Sequence, residues 1–193
     1  PKTAIGSIKR IEEQTDGKQM SISSYRYSGD RTVLSYEEMN GYCNRAIKLN
    51  PNCKLTLILM QVNDMEDYMK NEGSGFVQDL LQSVQDTVRR HVGHRGIVCP
   101  LQPNLMSVVV QDINSDIKLR AFIESLRSRI AWNYRLIDPK YEISFSFGVA
   151  CYPENGMDMR IVHRKLVKAL QMAQEKHANC YVIYKEHLHG ELS

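Results

Sequence analysis

The side chains of this 193-residue sequence that could do chemistry fall into three sets, and one stretch is informative for lacking them. Asp64, Glu66 and Asp67 form an acidic trio just after an apolar run, where carboxylates could hold a divalent cation. They also open a helical pattern, and acids are favoured there by the helix dipole, so a solvated helix start accounts for them. His91 with His94, and His187 with His189, are spaced as metal pairs but have no further ligands beside them, and read as surface histidines. The five cysteines (Cys43, Cys53, Cys99, Cys151, Cys180) are odd in number and lack C-x-x-C spacing. That argues against a zinc ribbon or a secreted disulfide framework and for reduced, mostly buried thiols of a cytoplasmic protein. Between Asp86 and Asp112 there is no Asp or Glu at all. Neither GxGxxG nor GxxxxGK(S/T) occurs, so dinucleotide and P-loop chemistry have no support.

The bulk numbers describe the scaffold. Hydrophobic residues make up 42% and charged residues 24%, the mix of a globular domain. A domain of this length buries roughly two thirds of its unfolded surface. A net charge of +3, with Lys and Arg spread along the chain, does not argue for nucleic acid. The basic run Arg160 to Lys168 reads as the wet face of a helix. No apolar stretch approaches the roughly 20 residues of a membrane span, so no direct membrane insertion is expected.

The elements that must position these residues follow from periodicity. Ser35 with Glu38 has capping-box spacing, and Tyr36, Met39, Cys43, Ala46 and Ile47 form a helical stripe ended by Asn50-Pro51. Leu55 to Val62 is a continuous apolar run, the mark of a strand covered on both faces. A helical turn over Asp64 to Asn71 precedes a longer helix from about Gly75 to Val92, closed by Gly93. Ile97 to Cys99 and Leu105 to Val110 read as a hairpin around a Pro-Asn turn, with Pro100 calling for an edge strand or an interruption. A helix spans about Ser115 to Ala131, with Trp132 near its end as a packing residue or, in the alternative, an interface anchor. Tyr141 to Cys151 alternates: Ile143, Phe145, Phe147 and Val149 on one face, Ser144, Ser146 and Gly148 on the other. Those small residues let another element pack closely. A helix from Met159 to Lys176 leads to the strand Cys180 to Tyr184. The order β-α-α-β-β-α-β-α-β with an internal hairpin predicts an α+β fold of the split βαβ kind: a mainly antiparallel sheet flanked by helices.

Several local phrases resemble the GGDEF domain, the diguanylate cyclase module of bacterial signalling, over roughly Ser35 to Tyr184. Ser146-Phe147-Gly148-Val149-Ala150 is similar to the family's S-(I/F)-G-(V/I)-A strand. Ala169, Leu170, Ala173 and Asn179 match its A-D-x-A-L-Y-x-A-K helix and the asparagine turn that follows. Gly73 falls on its Y-G-H glycine. The resemblance implies a nucleotide-cyclase fold over 35–185. It also implies a leader over 1–34 that resembles the end of a PAS-like sensory module, and over 186–193 the start of a linker toward an EAL-like domain.

The same resemblance sets the family's functional positions on unlike residues. The metal-holding D-x-D falls on Gln61 and Asn63. The G-G-D-E-F hairpin falls on Gln102, Pro103, Asn104, Leu105 and Met106. The phosphate lysines fall on Glu66 and Gln174, the guanine-reading asparagine and aspartate on Met69 and Gln78, and the inhibitory R-x-x-D on Gly93 and Gly96, with His94 and Arg95 nearby. Amides offer oxygen without the charge that a hard cation wants, and Met60, Met65, Met69 and Met106 read as core filler around the pocket or else as the lining of an apolar partner surface. The expectation is a pseudoenzyme: no catalytic, metal, nucleotide or inhibitory site, no cofactor, and not an enzyme. Its role would be non-catalytic regulation in cyclic-di-GMP signalling, by domain coupling, dimerisation or partner binding. The partners implied are a sensory domain upstream, an EAL-like domain downstream, a protein partner or a homodimer. The alternative is a GTP-binding sensor without turnover.

Overall fold

The computed structural model describes residues 36–137, 143–176 and 179–190. The first element is helix α1 (Tyr36–Leu49), which buries Met39 and Cys43 completely. Strand β1 (Leu55–Val62) is buried at all eight positions, as its unbroken apolar run requires. Its odd-numbered leucines, Leu55, Leu57 and Leu59, share a core with Met39, Cys43 and the last long helix. Ile58, Met60 and Val62 face the opposite core. That alternation is the two-residue period of a strand with a helical layer on each face.

Helix α2 (Met65–Val92) is interrupted at Gly73, whose φ of 85° and ψ of 176° are not helical, so the two helices read from sequence meet at that break. Glycine tolerates this backbone where a side chain would not. Gly93, at φ 53°, ends the helix, and a short turn (Gly93–Arg95) leads into β2 (Gly96–Gln102). Strand β3 (Leu105–Gln111) returns antiparallel across Pro103-Asn104. The sheet order is β2-β3-β1-β4-β5, which puts β2 on the edge, and its register shifts between Pro100 and Gln102. Proline at an edge strand with an irregularity is what its missing donor demands.

Helix α3 (Asp116–Ile137) runs beyond the Ala131 end expected from sequence. Strand β4 (Phe145–Tyr152) pairs antiparallel with β1, and β5 (Cys180–Ile183) pairs parallel with β4. Helix α4 (Met159–Glu175), capped by Asp158, lies against the small-residue face of β4. A Cβ built on Gly148 would stand 2.3 Å from the Leu170 amide nitrogen and 2.7 Å from the Leu166 carbonyl, so only glycine permits this approach. Helices α2 and α3 cover one face, α1 and α4 the other.

Residues 186–189, read as the start of a linker, form a short helix α5 (Glu186–His189). It is held to α4 by Lys165 to Glu186 at 2.8 Å and by the Lys168 ammonium donating to the His189 carbonyl at 2.6 Å. The leader 1–34, the Ser35 cap and Tyr141 lie outside the described residues.

Candidate functional site at the strand ends

Four of the residues singled out from sequence converge where β1 and β3 meet. The Asn104 carbonyl accepts from the Val62 amide at 2.9 Å, and the Asn104 side chain donates back to the Val62 carbonyl at 3.2 Å. Asn63 donates its amide to Ser144 Oγ at 2.9 Å and to Ser146 Oγ at 3.1 Å, while Ser146 Oγ also lies 3.3 Å from Asn63 Oδ1. Gln174, reaching over from α4, donates to Gln61 Oε1, and Gln61 is only 8% exposed. Their hydrogen bonds run to one another, to serine hydroxyls and to neighbouring backbone, as half-buried amides require.

The other positions are set differently. Leu105 pairs opposite Gln61, and Met106 is buried in the core with Met60. Pro103 is exposed at the turn and Gln102 is half-buried beside it. Glu66, Gln78 and the 48%-exposed Met69 lie on the outer surface of α2, so Met69 is not the core filler expected. Met65 packs partly against the core. Asp64, Glu66 and Asp67 are exposed, with Asp64 at φ 60° ahead of the first turn. Among the described residues no group of three or more His, Cys, Asp or Glu side chains could hold a metal ion. A hard divalent cation takes anionic oxygens, and the neutral amides gathered here do not fit one.

Two sequence expectations are corrected. Trp132 is not a packing residue: it stands 65% exposed on α3. His91 is not a surface residue but is buried, its ring nitrogen 3.2 Å from the Phe122 carbonyl, because α2 and α3 close over it. Burial, and then the charges of Arg129 and Arg95, depress its pKa.

Gly93, with His91, His94 and Arg95, lines an open cleft of about 980 Å³ whose other cations were not singled out from sequence. Besides Arg95, it is lined by Arg90 from the end of α2, by Lys118 and Arg129 from α3, and by Asp112. The signal in the sequence was helical spacing: Lys118, Ser125 and Arg129 recur on one face of α3.

All five cysteines are free thiols. Burial raises Cys43 and Cys99 to about 12 and Cys151 to about 11, so these three stay protonated and inert. No described helix is long and apolar enough to cross a membrane.

A mixed five-stranded sheet in this order, with helices on both faces, is the architecture of nucleotide cyclases, and the solved structures that resemble it carry that fold. The active GGEEF domain of a diguanylate cyclase from Vibrio cholerae matches with a TM-score of 0.69 at 13% identity, covering 80% of this chain and 99% of that one. A diguanylate cyclase/phosphodiesterase from Caldicellulosiruptor saccharolyticus gives 0.65 at 19% identity, over 81% and 92%. The FimX GGDEF domain of Pseudomonas aeruginosa gives 0.64 at 13%, over 82% and 99%. No curated protein matches at the level of sequence. Residues 36–180 match the family described as "Diguanylate cyclase, GGDEF domain", and the chain belongs to that family. This membership overturns the expectation that the chain is not an enzyme, since the matched family is one of cyclases and the match spans the whole strand-end region.

Proposed function

We propose that this GGDEF domain serves cyclic-di-GMP signalling as a degenerate, regulatory domain of the cytoplasm. It acts through coupling to other domains of the same polypeptide, through dimerisation or through a protein partner. The anchorage of α1 carries this reading. Met39 and Cys43 sit wholly inside the core. Tyr42 receives a hydrogen bond from Gln111 at the end of β3, and Asn40 is 3.2 Å from the buried His163 of α4. The helix is thus tied at once to the sheet and to α4, its neighbour in the same helical layer. A packed element with ties of this kind passes a displacement on as a rigid body. The strand-end amides support the same reading, because their hydrogen bonds are already made within the domain.

The test is to loosen α1 in the polypeptide that carries this domain, with Asn40→Ala and Tyr42→Phe together. The reading expects a changed output of a linked domain, or a changed monomer–dimer balance by light scattering, at unchanged circular dichroism. Output and association that both ignore the double substitution would contradict it. A rise in melting temperature with millimolar GTP would favour the nucleotide-sensor alternative, since a ligand that binds only the native state stabilises it.

A further inference from the structure

We propose that the basic cleft between the end of α2 and the outer face of α3 is a docking site for an acidic segment of a protein partner, with Trp132 as its aromatic anchor. The inference deepens the regulatory reading and rests on it, by giving the partner a chemistry.

Charge is the first ground. Arg90, Arg95, Lys118 and Arg129 line the cleft against the single carboxylate of Asp112, a local excess equal to the +3 of the whole chain. The acids that could have neutralised them are engaged elsewhere. Asp86 pairs with Arg89, Glu124 with Arg127, and Asp116 with Lys185. Among the described residues, Arg90, Lys118 and Arg129 have no ion pair. Arg95 is held in place by donating to the His91 carbonyl at 2.8 Å, with its guanidinium 5.0 Å from the centre of the Phe122 ring. His91 is buried beside them, and burial first, then the charges of Arg129 and Arg95, lower its pKa. Unpaired like charges gathered in one concavity raise the energy of the free domain and favour an anionic occupant.

The aromatic ring is the second ground, and it separates a protein occupant from a small anion. At about 100° per residue, Lys118, Ala121, Ser125, Arg129 and Trp132 fall on one face of α3. Ala121, Ser125, Arg129 and Trp132 are all exposed. The Asn133 side chain donates to Thr87 Oγ1 at 2.9 Å, which fixes α3 on α2; Lys118, Ala121, Ser125 and Arg129 line the cleft, and Trp132 follows three residues after Arg129 on the same face. Tryptophan and arginine together are the residues that most often carry binding energy at protein interfaces. At 65% exposure the indole is largely uncovered.

Trp132 is the only tryptophan in the chain, so its emission reports this face alone. A labelled peptide of repeated Glu-Glu-Leu is titrated with the whole chain, following peptide anisotropy and indole emission. The expected result is a saturable rise in anisotropy with a matching change in emission. Binding should weaken about ten-fold with Arg129→Glu, and likewise with Arg90→Glu on the other wall; about 0.15 M salt should also weaken it, because exposed charges are screened there. Any of four outcomes overturns the proposal: no saturable binding, equal binding of the Gln-Gln-Leu peptide, anisotropy without a change at Trp132, or displacement of the peptide by inorganic phosphate or cyclic-di-GMP at lower concentration. The regulatory reading fails separately, through an output indifferent to α1, while this binding is read on the chain itself.

Discussion

Two regions of the domain hold clusters of polar side chains, and they have opposite economies. At the strand ends Gln61, Asn63, Asn104 and Gln174 are half-buried or better and hydrogen-bonded among themselves and to Ser144, Ser146 and Val62. At the α2–α3 cleft, Arg90, Lys118 and Arg129 are exposed and unpaired among the described residues. The first arrangement stabilises the fold through hydrogen bonds made within the domain. The second does nothing for the fold and is open to one. The difference separates polar residues that hold a structure together from polar residues that wait for something outside it.

The largest effect should come from the contact that assembles the strand-end cluster. Gly148 lets α4 lie on β4 and so brings Gln174 over Gln61. Gly148→Ala places a methyl against α4 backbone and should cost about 3 kcal/mol or more in urea unfolding, at the upper end for an overpacked core. A variant of unchanged stability would break the link between that packing and the amide cluster.

His163, at the contact of α4 with α1, gives the next effect. Burial holds its pKa at about 4 against an ordinary 6.5. The unfolded chain therefore takes up the proton first, so the stability from the neutral buried ring is whole above pH 6.5. It is lost as the pH falls toward 4, by about 3 kcal/mol in all. Urea midpoints measured across that range should fall in the wild type and stay flatter in His163→Gln.

Asn63→Ala removes the donor shared by Ser144 and Ser146 and leaves their hydroxyls without it, a loss of about 1–2 kcal/mol. Arg129→Ala, in contrast, should shift the unfolding free energy by no more than about 0.5 kcal/mol, since the side chain is exposed and has like charges around it. Any change should be toward stability at low salt. Equal costs for Asn63→Ala and Arg129→Ala in the same denaturation series would erase the contrast between the regions.

The strand-end region was largely legible in the sequence. Period-two alternation around Gly148, the Pro103-Asn104 turn, the edge placement of Pro100 and the break at Gly73 are local signals, and each corresponds to a backbone constraint seen in the fold. The cleft was not legible, because Arg90 and Arg95 meet Lys118 and Arg129 only through the packing of α2 on α3. The same packing buries His91, which follows two arginines and was expected at the surface. Trp132 misled for the converse reason: a large apolar residue near a helix end is more often covered, and hydrophobicity alone does not say which face of α3 meets the core. The closing turn α5 depends on Lys165 and Lys168, a helix away, and no local pattern announced it.

Two-dimensional NMR of the uniformly labelled chain during titration with the Glu-Glu-Leu peptide tests the contrast most directly. The account predicts shifts in the Trp132 indole N–H and in the backbone amides of Arg90 to Arg95, Lys118 and Arg129, with the side-chain amides of Gln61, Asn63 and Gln174 unmoved. Shifts confined to those three amides, with Trp132 and the cleft silent, would contradict it.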